Sequence, residues 1–173
     1  MPYVLEEKII KIDDKQIIVL PVNYGESRIT IENDSLVNPS LSDQKRAAKE
    51  RKLLQSVLTK KSDFNLNDLK FYRPVEGAVT SGFGKKRFIN DLPRAPHLAL
   101  DLDGFDGDPI FAPLDAKVAL VNNFFYSGNI IVLDHGSNLF TSYSHMKKSH
   151  RVVGDFVKKG CLLYTSDAAD ECS

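Results

Sequence analysis

Two segments in the second half of the chain carry side chains that could take part in hydrolysis. His97 and Asp101 lie close together in the first segment, and His145 follows a strand-like run in the second. A catalytic zinc ion usually takes three ligands from His, Asp, Glu or Cys and leaves a fourth position for water. A neutral histidine can accept a proton from such a water or hydrogen-bond a developing oxyanion. These residue types therefore suit a metal site with a nearby proton acceptor.

The spacing of His97 and Asp101 places a condition on the backbone between them. Residues 98–102 are mostly apolar and look like a strand, and four residues of extended strand cover about 13 Å. One zinc ion binds each ligand atom at about 2 Å, so a shared ion requires a bend near His97. Pro96 favours irregular backbone there. Without that bend, His97 is a loop histidine and Asp101 an ordinary surface aspartate.

Other candidate groups have simpler structural explanations. We predict that His135 is a structural residue of a hairpin turn and that His150, in a polar stretch, is exposed. The acidic segment 101–108 could bind calcium, but turn formation by its Asp and Gly residues explains it more simply.

The elements that must position these side chains are mostly predicted strands. The β-branched runs 8–12 and 16–22 and the alternating segment 28–32 predict a small N-terminal β-module of hairpin type. Ser42 or Asp43 is predicted to cap a helix that ends near Lys60. From Phe71 onward, short apolar runs between Gly, Pro and Asn predict an antiparallel sheet or sandwich. These runs cover residues 77–80, 98–102, 109–112, 117–121, 129–133 and 139–144.

Composition narrows the classes of function. The chain of 173 residues has 23 Lys plus Arg and 23 Asp plus Glu, so no net charge favours nucleic acid or an anionic membrane as a partner. We expect the basic cluster at 45–52 to be a solvated helix face. No apolar run approaches the roughly 20 residues of a membrane span, and no signal-peptide pattern is present.

The last residues differ in character from the rest of the chain. The back-translation of residues 161–171 resembles a transposon-end adapter used in shotgun DNA sequencing. We therefore predict that residues 161–173 are a non-native tail, and that the natural sequence is recorded only to about Gly160. Both cysteines, Cys161 and Cys172, lie in this tail, which leaves no disulfide or cysteine nucleophile in the predicted natural portion.

A series of motifs from about Phe71 to Gly160 occurs in the order found in one known family. The motifs are Phe71-x-x-Pro74-x-x-Gly77-x-Val79-Thr80-Ser81-x-Phe83-Gly84, His97-x-x-x-Asp101, Gly107-Asp108-Pro109-Ile110-x-Ala112-Pro113, Asp134-His135-Gly136, Tyr143-x-His145-Met146 and Gly154-Asp155-x-Val157-x-x-Gly160. In these residues the chain resembles the lysostaphin-type (LytM-like) zinc endopeptidases, which cut peptide bonds in peptidoglycan. Residues 23–61 also resemble the region that precedes the catalytic domain in Gram-negative members.

The resemblance implies a fold and a set of site residues. The fold is mainly β, with an N-terminal β-module at 1–40, a linker helix at 41–70 and an incomplete antiparallel LytM-like peptidase domain at 71–160. His97 and Asp101 correspond to zinc ligands, and His145 corresponds to the first catalytic histidine. The family's final His-x-His motif has no counterpart here, and Ala99 stands where the family commonly has glycine. The resemblance thus implies that this fragment is inactive because the third zinc ligand is missing.

The resemblance also implies what the complete protein does. We expect a zinc-dependent endopeptidase that hydrolyses peptide cross-links of peptidoglycan in the periplasm or cell envelope, with peptidoglycan peptide stems as its partners. Zinc in such an enzyme polarises the scissile carbonyl and acidifies its bound water. One alternative is a non-catalytic LytM-like envelope protein that binds and activates other cell-wall hydrolases. Another is a β-rich carbohydrate- or wall-binding module without a metal.

Overall fold

Strands dominate the computed structural model, which describes Val4 and residues 6–32, 34–66, 68–105 and 107–164. The predicted mainly β fold class is confirmed. In chain order the elements are β1 (Lys8–Ile12), β2 (Lys15–Val19), β3 (Glu26–Ile29), α1 (Asp34–Val37), α2 (Leu41–Leu58), β4 (Val79–Ser81), β5 (Lys86–Ile89), β6 (Leu92–Arg94), β7 (Asp101–Leu102), β8 (Ile110–Phe111), β9 (Ala116–Phe124), β10 (Gly128–Asp134), β11 (Phe140–Met146), β12 (Phe156–Val157) and β13 (Leu162–Tyr164).

The chain divides into two units, each built from two separate segments. Unit 1 combines residues 1–37 with 78–103, and unit 2 combines residues 38–77 with 104–173. The boundaries at 40, 70 and 160 stay predictions. None of the helices in the described ranges combines the length and apolar character needed to cross a membrane.

Unit 1 contains three small sheets. β1 and β2 form the predicted antiparallel hairpin, and Asp13 takes a left-handed φ of 51° in its tight turn. The strand predicted at 28–32 lies instead at 26–29, where β3 pairs in parallel with β5. β5 also pairs with β6, in a hairpin that the apolar runs did not predict. β4 and β7 form the third sheet, which carries Asp101.

Unit 2 is built on a four-stranded sheet in the order β11-β10-β9-β12. One face buries a cluster that includes Val118, Ile131, Leu133 and Leu163, each at most 1% exposed. The other face buries Leu120, Phe124, Ile130 and Val132, against which Leu54 and Val57 of α2 pack. Because strand residues alternate between faces, the continuous apolar run of β10 supplies both clusters. The helix therefore lies against the sheet.

The N-cap predicted at Ser42 or Asp43 is wrong. Ser40 caps α2, and its Oγ accepts a hydrogen bond from the backbone N–H of Asp43 at 3.2 Å. The Asp43 amide is one of the first-turn donors that have no partner within the helix, and a serine oxygen satisfies it.

The basic cluster at 45–52 is not entirely a solvated helix face. Arg46 pairs with Glu50 at 2.7 Å and donates to the carbonyl of Asn123 at 3.0 Å.

The segment 62–66, which follows α2, lies on the turn between β10 and β11. Ser137 donates its backbone N–H to the Phe64 carbonyl at 3.3 Å, and its Oγ accepts the Leu66 N–H at 3.1 Å. A Cβ at Gly136, which has a φ of +86°, would lie less than 3.0 Å from backbone atoms of residues 64–66. The glycine therefore permits the close approach of the two chains.

Part of the predicted non-native tail packs in unit 2. Cys161 and Tyr164 are 5% and 4% exposed, and β13 pairs with β8. The origin of this segment stays a prediction.

Candidate active site

The backbone of His97 is fixed by a neighbouring loop of unit 1. Its N–H donates to the Lys85 carbonyl at 2.9 Å, and its carbonyl accepts the Gly84 N–H at 2.6 Å. The side chain is 8% exposed, whereas that of Asp101 is 50% exposed. His97 thus belongs to the interior of the unit, with Asp101 at the boundary with solvent.

The bend required by the sequence argument is present. β7 covers only Asp101 and Leu102, and the chain bends at Ala99. The predicted strand 98–102 is therefore confirmed only at its last two residues. The bend brings His97 Nε2 to 3.0 Å from Asp101 Oδ1. Ala99 does not have a positive φ, so alanine fits this position without backbone strain.

The hydrogen bonds of the His97 ring determine what its other nitrogen can bind. Nδ1 lies 3.3 Å from the Gly82 carbonyl and 3.5 Å from Ser81 Oγ. Because a carbonyl only accepts, Nδ1 carries the proton in this hydrogen bond. In the neutral ring, Nε2 then presents a lone pair to the Asp101 carboxylate. Two acceptors that face each other at this distance require a proton or a cation between them.

The pair fits zinc. Two ligand atoms bound tetrahedrally at 2.0–2.2 Å from one ion are about 3.3 Å apart, close to the separation of Nε2 and Oδ1. A metal-bound histidine commonly donates its other ring N–H to a backbone carbonyl, which orients the ring and fixes its tautomer. His97 makes this type of contact with Gly82. Within the described part of the chain, no third His, Cys, Asp or Glu joins the pair.

His145 lies in unit 2, on an irregular part of β11. Asn129 pairs with Met146 and Ile131 with Tyr143, so Ile130 opposes two residues, Ser144 and His145. Such a bulge can redirect a side chain and is common beside active sites. His145 has a left-handed φ of 60°, and its N–H donates to the Ser127 carbonyl at 2.8 Å. The side chain is exposed, so a substrate can reach it.

His135 is buried and has both ring nitrogens occupied. It is 1% exposed, with Nδ1 3.0 Å from the Asp115 carbonyl and Nε2 2.8 Å from Thr141 Oγ1. Burial lowers the pKa of the ring, and the contact with Asp115 only partly offsets this effect. The predicted structural role agrees with this environment. His150 is exposed, as predicted.

In the acidic segment 101–108, Asp108 stabilises a turn, as the simpler explanation predicts. Asp108 Oδ2 accepts the Phe105 N–H at 2.7 Å, whereas Asp106 lies outside the described residues.

Sequence reasoning missed the groups that orient His97. They are mostly backbone atoms of residues 82–85, and backbone acceptors have no side-chain signature. The available signal was the segment Thr80-Ser81-Gly82-Phe83-Gly84, whose two glycines lie beside the histidine.

Comparisons with known proteins converge on hydrolases of one type. Residues 95–170 match Peptidase family M23. The chain is similar to peptidoglycan DD-endopeptidase ShyB of Vibrio cholerae, with 36% identity over 91 residues, covering 50% of this chain and 21% of ShyB. It is similar to peptidoglycan DD-endopeptidase ShyA of the same organism, with 31% identity over 83 residues, covering 47% of this chain and 19% of ShyA. The chain thus spans about a fifth of the length of these curated relatives.

Two solved structures have a similar fold. A structure described as a peptidase M23 from Pseudomonas aeruginosa aligns with a TM-score of 0.64 and 27% identity, over 77% of this chain and 54% of that chain. A zinc-containing peptidase from Vibrio cholerae aligns with a TM-score of 0.53 and 31% identity, over 60% of this chain and 34% of that chain.

Proposed function

We propose, because residues 95–170 match Peptidase family M23, that the complete protein is a zinc-dependent endopeptidase. Its substrate is the peptide cross-link of bacterial peptidoglycan. The names of both curated relatives, peptidoglycan DD-endopeptidases, support this substrate class. A peptidoglycan hydrolase must meet its substrate in the cell envelope, so we also propose a periplasmic or envelope location.

The observation that carries the proposal is the contact between His97 and Asp101. Nε2 and Oδ1 are 3.0 Å apart, at a separation that suits two ligands of one ion. The other ring nitrogen, Nδ1, is hydrogen-bonded to the Gly82 carbonyl. An ordinary loop histidine beside a surface aspartate would have an exposed ring without fixed contacts. The His97 ring is instead buried, and its orientation is fixed by a hydrogen bond.

The proposed roles fall to three residues. His97 and Asp101 would hold zinc, which when bound polarises a carbonyl and lowers the pKa of water. The buried ring of His97 would keep one orientation as substrate binds, because its backbone and its Nδ1 are both hydrogen-bonded. His145 would exchange a proton at its ring nitrogen, a role that suits an exposed imidazole.

The proposal is tested on the product of the complete gene, with cross-linked muropeptides as substrate. The wild-type protein is expected to cleave them, to lose activity with a chelator and to regain it with zinc. His145→Ala should reduce cleavage by at least about 100-fold, the usual contribution of a general acid or base. His150→Ala is the matched control, since His150 is also exposed, and should cleave at the wild-type rate.

Two results would contradict the proposal. Undiminished cleavage by His145→Ala would remove the assigned role of that residue. A folded complete protein with neither zinc nor cleavage would instead favour the non-catalytic activator of other cell-wall hydrolases.

A further inference from the structure

We propose that Tyr24 is a positioning residue for His97: its ring holds the loop 82–86 in the conformation that orients the imidazole. The inference rests on the proposed function in one respect, because it assigns His97 to the metal site. All the residues involved belong to unit 1.

The Tyr24 ring packs directly on the loop. Gly84 is buried and has a φ of +88°, and a Cβ there would lie less than 3.0 Å from three ring atoms of Tyr24. The ring thus lies directly on the Gly84 backbone. It also meets the Phe83 ring edge to face, with centroids 5.8 Å apart. Such aromatic pairs contribute about 0.5–1.5 kcal/mol beyond the area they bury.

The loop is hydrogen-bonded to His97. Gly84 donates its N–H to the His97 carbonyl at 2.6 Å, and the Lys85 carbonyl accepts the His97 N–H at 2.9 Å. The Gly82 carbonyl lies 3.3 Å from Nδ1. Three residues of the loop, Gly82, Gly84 and Lys85, therefore fix the backbone and the ring of the histidine. Displacement of the loop would change all three contacts together.

Tyr24 is held in place by the pairing of the N-terminal segment with β5. The next residue, Gly25, accepts the Lys86 N–H through its carbonyl at 3.0 Å. β3 then begins at Glu26 and pairs in parallel with β5 from Lys86 onward. The same strand pairing that joins the N-terminal segment to β5 thus places the tyrosine on the loop. No part of the ring needs to touch the metal ligands for this effect.

A specific consequence follows for the His97 ring. With the loop in place, Nδ1 has a carbonyl acceptor, and the neutral ring is held as the tautomer that leaves Nε2 free. Without the tyrosine ring, the loop loses the packing on one side of Gly84. We expect the Gly82 carbonyl to move away from Nδ1, so that both tautomers become populated.

The test reads the tautomer without metal, by nitrogen NMR of the 173-residue chain labelled at its histidines. Every protein compared also carries Asp101→Ala, because the Asp101 carboxylate, 3.0 Å from Nε2, would otherwise require a proton there. The His97 signals are assigned with His97→Gln. Wild type and Tyr24→Phe, which keeps the ring, should show a single Nδ1-protonated form, and Tyr24→Ala a mixture. The matched control is Tyr72→Ala, because Tyr72 packs edge to face on Phe111 with centroids 5.7 Å apart in unit 2 and should leave the tautomer unchanged.

Zinc affinity of the complete gene product supplies the second measurement. Loss of a group that orients a ligand typically weakens metal binding 10–100-fold, so we expect at least a tenfold loss in Tyr24→Ala and wild-type affinity in Tyr24→Phe. If Tyr24→Ala loses the β3–β5 amide signals, Tyr24→Leu replaces it, since leucine keeps apolar volume without the planar ring.

The positioning role is overturned if the ring-deleted, folded variant keeps one tautomer and wild-type zinc affinity. This failure is distinct from failure of the proposed function. A tautomer that shifts in a protein that cleaves no peptidoglycan would retain the positioning role and refute the peptidase. If the complete protein cleaves peptidoglycan but Tyr24→Ala leaves the His97 tautomer unchanged, the positioning role is refuted and the peptidase is retained.

Discussion

The left-handed backbone of His145 predicts an unusual response to glycine. A non-glycine residue with φ near 60° costs roughly 1–2 kcal/mol in steric strain, and His145 adopts φ 60°. His145→Gly relieves that strain but adds about 0.5–1 kcal/mol of unfolded-state entropy relative to alanine. Because the side chain is exposed, its removal costs little. We therefore expect His145→Gly to be more stable than His145→Ala by about 0.5–1 kcal/mol.

The matched control lies on the same strand. Ser142 is exposed and does not have a positive φ, so Ser142→Gly should be less stable than Ser142→Ala by about 0.5–1 kcal/mol. Urea unfolding of the four variants, followed by far-ultraviolet circular dichroism, gives both differences. The predicted signs are opposite. Glycine that destabilises both positions equally would refute the argument that backbone strain is stored at His145.

Four further perturbations have defined outcomes. Gly136→Ala should destabilise the chain by about 3–4 kcal/mol, from the positive φ and the loss of two hydrogen bonds to segment 62–66. Gly160→Ala, at a φ of +78° with nothing within 4 Å of the new Cβ, should cost only about 1–2 kcal/mol in the same urea assay. Burial lowers the pKa of His135, so below about pH 6.5 the imidazole takes up a proton in the unfolded state before it does so in the folded state. The free energy of unfolding should therefore decline as the pH falls, by at most about 1.4 kcal/mol per pH unit. The decline should be absent in His135→Gln, measured by unfolding between pH 7.5 and 5.5. Leu133→Ala, which removes a fully buried side chain, should cost about 2–5 kcal/mol by the same measurement.

The sheet of unit 2 was predictable because its signals are local. Apolar runs at 117–121, 129–133 and 139–144 correspond to β9, β10 and β11, and the turn at Asp134–Asn138 has the residues that tolerate positive φ. The β5–β6 hairpin also has a local signal, in the residue types of its turn. Its turn residues, Asn90 and Asp91, have φ of 50° and 59°, and Asn and Asp are the side chains that tolerate this conformation.

Pairing between distant segments could not be predicted. β3 and β5 are separated by α1, α2 and β4, and nothing in the alternation of residues 28–32 specifies a parallel partner. The same limit applies to the site. His97 and Asp101 were selected by residue type, but their contact depends on a bend at Ala99. The Gly82 acceptor and the φ of His145 are properties of the backbone, which side-chain patterns do not encode.

Zinc content most directly tests the claim that His97 and Asp101 are metal ligands. It is measured on the complete gene product, purified without chelators, beside His97→Ala and the control His150→Ala. We expect one zinc ion per chain in the wild type and the control, and loss of the ion in His97→Ala. Full retention of zinc by a folded His97→Ala protein would contradict it.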